Sequence, residues 1–133
     1  MRIERFFQKV QKKTIEDSPD WSQAERFFVK KTNNGICLIR MVCDYNQALQ
    51  EELRHLLLKL QEEKFEKICF DICAITEIDI TFLNAFTGFA AAHKQLFPNG
   101  ALEIININKD IMVLLKAVGL IEMYTFRSMK ETK

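Results

Sequence analysis

The sequence has few of the residues that interrupt regular structure, with four glycines and two prolines among 133 residues. It also lacks a strong charge of either sign, because 19 basic side chains face 18 acidic ones. Nucleic-acid binding usually needs a strong positive field, so nucleic acid is not an expected partner. A chain of this length forms one compact domain with a single core and is too short for two ordinary domains.

Long apolar runs are missing too. No stretch approaches the eighteen or so apolar residues of a membrane span. The N-terminus also lacks the apolar central region and small-residue cleavage site of a signal peptide. We therefore expect a cytoplasmic protein with weak or no membrane contact. The cysteines lie inside apolar runs, which is typical of buried, reduced thiols; they are Cys37, Cys43, Cys69 and Cys73.

Motifs that indicate an enzyme or a metal site are also absent. The sequence has no glycine-rich phosphate loop, zinc-ligand spacing or nucleophile elbow. Cys69 and Cys73 share a strand-like run, which separates them by roughly 13 Å, although cysteines of different strands could still approach one another. His55 and His93 lie on helix-like segments without a convincing catalytic companion. We expect no enzymatic activity, no cofactor and no metal.

What the sequence does contain is an alternation of strand-like and helix-like segments. Apolar periodicity predicts strands at 26–31, 36–42, 67–75, 101–108 and 123–126, and helices at 46–63, 80–96 and 109–118. Between the first two strands, Asn34-Gly35 can supply the positive φ angles of a tight hairpin turn, so these strands should be antiparallel. The later alternation implies crossover connections and a mostly parallel sheet.

The N-terminal segment, residues 1–22, differs from the main domain predicted at 23–130. It carries a stripe of apolar residues at helical spacing, namely Ile3, Phe6, Phe7 and Val10. Basic side chains surround this stripe. This pattern predicts a basic amphipathic helix, which is too short to be stable alone and should fold by covering something apolar. The protein's own domain or a second copy of the chain, giving a homodimer, is a better candidate than a lipid surface.

The turn before the second helix raises a question about function. Asp79 can accept hydrogen bonds from the first free N–H groups of that helix, either as a simple cap or as a cap within a recognition surface. Two apolar stripes follow on the same helix: Phe82, Phe86 and Phe89, and Leu83, Ala90 and Phe97. Both stripes suit a core, and any exposed phenylalanine would form an apolar docking patch.

The run from Lys67 to Phe126 resembles the STAS domain, a module shared by bacterial anti-sigma factor antagonists and the cytoplasmic tails of sulfate transporters. The resemblance rests on four features: the strand ending in Asp71, the Ile78-Asp79 pair, the strand from Ala101 to Asn106, and the helix closed by Val118-Gly119-Leu120. With the preceding hairpin and helix it covers about residues 24–127. It implies an α/β fold in which a mixed, mostly parallel sheet of four to five strands is flanked by helices.

The resemblance also implies a function and a site. The function is a non-enzymatic protein–protein interaction module in bacterial signalling, which in antagonists docks onto an anti-sigma factor with a kinase-type fold. The regulatory site would be Asp79, Ile80 and Thr81. The implied partner surface comprises Asp71, Asp79, Thr81, Phe82, Asn84 and Phe86.

One departure from the family pattern affects regulation. The family follows the acidic residue with a phosphorylatable Ser or Thr, where this chain has Ile80, and commonly has Gly where this chain has Phe82. Ile80 has no hydroxyl, so the usual switch is absent from its usual place. Thr81 carries a hydroxyl, but one residue along a helix turns a side chain by about 100°. A kinase built for position 80 is therefore not expected to reach Thr81. An alternative function is an accessory subunit of a membrane lipid-transport complex, since STAS-like proteins also serve such complexes.

Overall fold

The computed structural model describes residues 26–31 and 36–128. Strands and helices alternate through this part of the chain in the order β1 Phe27–Lys31, β2 Ile36–Met41, α1 Gln47–Glu63, β3 Lys67–Asp71, α2 Ile80–Leu96, β4 Ala101–Ile107, α3 Lys109–Ala117 and β5 Thr125–Ser128. The predicted element order and the α/β class are confirmed. The predicted N-terminal helix, the boundary at 22/23 and the Asn34-Gly35 turn lie outside the described residues.

The five strands form one sheet in the order β1-β2-β3-β4-β5. β1 and β2 are antiparallel, with Phe27 opposite Met41, and every later pair is parallel. β2 is therefore interior, as its two apolar faces predict. The last strand begins at Thr125 and not at Met123, because Gly119 adopts a φ of 82° and turns the chain into a short 3₁₀ helix before β5.

The three α-helices in the described part of the chain pack on one face of this sheet. Alternate residues of the strands join the apolar faces of the helices in one buried cluster, which includes Phe27, Val29, Ile39, Phe70, Ile104, Leu53, Phe86 and Leu115. Because neighbouring residues of a strand point to opposite faces, the remaining strand residues line the other side. We call this side the open face; it carries Phe28, Lys30, Ile36, Leu38, Arg40, Lys67, Cys69, Asp71, Glu103 and Ile105.

Each helix begins at a side chain that caps it. Asn46 accepts a hydrogen bond from the Leu49 amide at 2.8 Å at the start of α1. Asn108 does the same for Ile111 at 2.9 Å at the start of α3. Such caps satisfy backbone donors that have no partner within the helix, and each stabilises the helix by about 1 kcal/mol.

The second helix is buried along both of its predicted stripes. Phe82 and Phe86 are fully buried, Phe89, Leu83 and Ala90 are buried, and Phe97 is half-buried. This confirms the interpretation of both stripes as core. The phenylalanines of α2 therefore supply stability and form no exposed patch.

Candidate docking site at the start of the second helix

Asp79 caps α2 and places the next two residues on the surface. Its Oδ1 accepts a hydrogen bond from the Phe82 amide at 3.0 Å, and this bond is the main reason that the pKa of Asp79 is lowered. Ile80 is the first helical residue and is 66% exposed, which is unusual for a side chain of this size and apolarity. Thr81 is also exposed. The predicted regulatory residues therefore stand together at an accessible helix start.

The loop that leads to Asp79 is tied on both sides. From the loop after β2, Asp44 Oδ1 accepts a hydrogen bond from the Thr76 amide at 2.8 Å, and Oδ2 accepts one from the Thr76 hydroxyl. From the loop after β4, the Asn108 side chain donates to the carbonyls of Ile75 and Thr76 at 3.3 and 3.2 Å. Since parallel strands end at the same edge of the sheet, three loops meet here and hold the helix start in one position.

Asp71 organises the base of this loop from inside the protein. Its Oδ1 accepts hydrogen bonds from the Cys73 amide and the Asn106 side chain, each at 3.0 Å. Its Oδ2 lies 4.0 Å from Arg40 Nε. Asn106 reaches this position from β4 with a φ of 60°, at the irregularity between Ile104 and Ile107.

Three of the residues assigned to the partner surface are inaccessible, which corrects their interpretation as direct contacts. Asp71, Phe82 and Phe86 have no exposed surface. Asp71 is enclosed by the hydrogen bonds described above, and Phe82 stacks on Phe86 with ring centroids 4.4 Å apart. They lie in the interior beneath the exposed helix start.

The other three residues of that assignment, Asp79, Thr81 and Asn84, are exposed on α2. Beside them, a cleft of about 360 Å³ runs between α1 and α2, lined by Tyr45, Gln50, Glu51, Leu53, Arg54, Thr81 and Ala85. Burial and the nearby Asp79 carboxylate raise the pKa of Tyr45. The cleft thus connects the exposed helix start to the polar side of α1.

Sequence reasoning missed a second exposed apolar surface, on α3 and the turn that follows it. We call it the α3 strip; its residues are Val113, Leu114, Val118, Ile121 and Met123. Val113 is 69% exposed, whereas Ile111 and Leu115 of the same helix are buried. The spacing of Val113, Leu114 and Val118 was the available signal, because it defines a second apolar face beside the one that packs.

The histidines and the cysteines differ in how deeply they are buried. His93 is buried, with Nε2 2.9 Å from the Phe65 carbonyl oxygen, and His55 is exposed on α1. All four cysteines are free thiols, two of them buried. In the described ranges no three His, Cys, Asp or Glu side chains come together as metal ligands. Over the same residues, no helix has both the length and the apolar character needed to cross a membrane.

Solved structures of low sequence identity share this fold. A candidate anti-sigma factor antagonist from Thermotoga maritima superposes with a TM-score of 0.67 at 11% identity, over 79% of this chain and 88% of that one. An anti-sigma factor antagonist from Mycobacterium paratuberculosis gives 0.61 at 11% identity, over 76% and 83%. The Bacillus cell fate determinant SpoIIAA, in its phosphorylated form, gives 0.59 at 12% identity, over 75% and 89%. No protein-family model matches the sequence, and no curated protein matches it.

Proposed function

Because the chain has the STAS fold, we propose that it is a protein–protein interaction module of bacterial signalling that binds its partner without a phosphorylated serine. The observation that carries this proposal is Ile80, a large apolar side chain that is 66% exposed at the start of α2. Apolar side chains on a rigid and accessible turn are favourable contacts for another protein. The hydrogen bonds of Asp44 and Asn108 already hold this turn in place, so partner binding costs less conformational entropy.

Regulation at this position differs from a phosphoswitch. A phosphate on a hydroxyl here would add about two negative charges beside the positive end of the helix dipole and beside Asp79. Ile80 accepts no phosphate, so a kinase directed at position 80 leaves the charge and shape of the surface unchanged. Partner binding at this site would then be controlled by the amounts of the two proteins.

The proposed contact surface has a polar part and an apolar part. Asp79, Thr81 and Asn84 supply exposed hydrogen-bonding groups around Ile80. Asn108 caps α3 and also holds the loop before Asp79, so the beginnings of α2 and α3 lie at the same end of the domain. The α3 strip starts at Val113 in the middle of α3 and continues past the end of that helix, so Ile80 is the apolar part of the proposed surface.

Affinity capture with matched variants tests this function. The full chain is used as bait beside Ile80→Glu and Leu58→Glu; Leu58 is a comparable control because it is 54% exposed on α1. We expect the unchanged chain and Leu58→Glu to retain a regulatory protein with a kinase-type fold, and Ile80→Glu to lose it. Equal retention by all three baits would contradict a site at Ile80. Capture of a transporter ATPase would instead favour the lipid-transport alternative.

A further inference from the structure

We propose that residues 1–25 fold back over the open face of the sheet and cover it with their apolar stripe. This inference is independent of the proposed signalling function. It concerns a surface of the domain that receives none of the three described helices. The occupant is this chain's own N-terminal segment.

The centre of the open face is apolar, and two of its residues are buried. Cys69 and Ile105 are each 5% exposed, yet they stand outside the main core cluster. Leu38 lies directly opposite Cys69 in the sheet and is half-buried, as is Phe28 at the edge strand. A sheet face with an apolar centre normally packs on another layer, because apolar surface removed from water contributes about 25 cal/mol per Å².

The segment has the right size for this layer. A helix over residues 2–13 would be about 18 Å long at 1.5 Å per residue. Five strands spaced by about 4.8 Å make a sheet roughly 19 Å wide. The connection of residues 14–26 can extend to about 40 Å, which is long enough to return the helix across the sheet.

The segment also ends at the right place. Phe27 begins β1, so the chain enters the sheet at its edge, and the next residue, Phe28, already points to the open face. On the open face and β5, Arg127 pairs with Glu103 at 2.9 Å and Arg40 lies 4.0 Å from Asp71, so these charges are matched within the domain, while Lys67 adds an exposed positive charge. Residues 14–25 carry four acidic side chains and no lysine or arginine, so the connection complements Lys67, whereas the basic residues of 2–13 would have to face solvent around the apolar stripe.

The α3 strip is the competing surface for the same stripe. It lies on the helix between β4 and β5, at the edge of the sheet opposite β1. Val113 remains 69% exposed there, whereas Cys69 on the open face is 5% exposed. The segment joins the sheet at β1, so its position favours the open face over the α3 strip.

Two of the chain's own thiols provide a test in the full-length protein. The labelling rate of Cys69 measures exposure of the open face, and that of Cys37 measures exposure of the main core. Labelling by N-ethylmaleimide is followed for each peptide by mass spectrometry, in the unchanged chain, in the double variant Phe6→Ser/Phe7→Ser and in the control Lys12→Ser/Lys13→Ser. We expect the serine pair at 6 and 7 to accelerate labelling of Cys69 about tenfold with little change at Cys37, and the control to change neither. Fast labelling of Cys69 in the unchanged chain would overturn the proposal.

If the labelling of Cys69 and Cys37 becomes faster to the same extent, a cross-linking measurement tests the proposal. A photoreactive benzoyl-phenylalanine at position 7 of the full chain should form intramolecular links to peptides that contain Leu38 or Ile105. Links to the α3 strip would place the segment on the wrong surface. Links between two chains would show a second copy as the occupant, and either result would overturn the proposal.

Discussion

Asp44 holds Thr76 at two points, through a 2.8 Å hydrogen bond from the Thr76 amide to Oδ1 and a second bond from the Thr76 hydroxyl to Oδ2. Asp44 follows β2 and Thr76 follows β3, so one carboxylate joins the loops of neighbouring strands. These bonds are the main reason that the pKa of Asp44 is lowered. The position of Ile80 therefore depends on a residue far from it in the sequence.

Removing this carboxylate should destabilise the domain. Asp44→Ala loses both bonds to Thr76, and we expect the free energy of unfolding to fall by about 1–2 kcal/mol. Glu77→Ala is the matched control, because Glu77 is an exposed acid in the same loop. Urea unfolding of both variants measures the difference. Equal losses would show that Asp44 does not hold the loop.

Stability should also fall in acid. The pKa values of Asp44 and Asp79 are both lowered in the folded protein. Each group therefore contributes stability that is complete above the unfolded-state pKa, about 3.9, and that is lost as the pH falls through the lower folded-state value. Unfolding midpoints in urea between about pH 6 and pH 3 should show this loss. The variant Asp44→Asn/Asp79→Asn should show a shallower dependence on pH, and an unchanged slope would contradict the assignment.

Replacement of two glycines by alanine should change the stability of the domain in opposite directions. A Cβ at Gly88, within α2, would meet no atom within 4 Å, so Gly88→Ala should raise the free energy of unfolding by about 0.5–1 kcal/mol. A Cβ at Gly100 would lie 2.7 Å from the Glu66 carbonyl oxygen and 2.7 Å from His93 Cε1. Gly100→Ala should therefore cost about 1–3 kcal/mol. Thermal unfolding of the pair checks both signs, and a stabilised Gly100→Ala would contradict this packing.

Phosphorylation should depend on residue 80. A kinase that modifies STAS domains should incorporate little phosphate into the unchanged chain, because Ile80 has no hydroxyl. Ile80→Ser should become a substrate, since it restores an acceptor at the start of α2. Any phosphate on the unchanged chain should map to Thr81 by mass spectrometry and disappear in Thr81→Ala. Stoichiometric phosphate at another residue would show that the family motif is aligned incorrectly.

Deletion of residues 1–20 should expose the surface that the segment covers. We expect a lower melting temperature or a changed oligomeric mass, because the deletion removes the apolar stripe and exposes the surface that the stripe is expected to cover. Sedimentation with anionic vesicles should be negligible with or without the segment, because so few apolar residues bind lipid weakly. Strong sedimentation that the deletion abolishes would instead favour the transport-complex hypothesis.

The sequence predicts the order of the elements well because each carries its own periodicity. The leucines of α1 repeat at helical spacing and are buried, as expected. The cap at Asp79 was also predictable, since capping depends on residues three positions apart. These are local features, and they place Ile80 and Thr81 correctly at the exposed helix start.

Burial at the site could not be predicted in the same way. The enclosure of Asp71 depends on Asn106, which comes from a neighbouring strand in a left-handed conformation. Phe82 and Phe86 could have faced either the core or a partner, and packing against Phe70 and Tyr45 decides between them. For α3 the sequence offers two apolar faces and does not tell which one meets the sheet.

The order of the strands in the sheet has a consequence for how the chain folds. Because that order is the same as the order in the chain, each strand pairs with one that was synthesised immediately before it. Each parallel pairing then requires closure of a loop no longer than one helix with its connections, which keeps the entropy cost moderate. The domain can therefore extend its sheet from β1 to β5 as the ribosome releases it, and the N-terminal segment is available before the first strand is made.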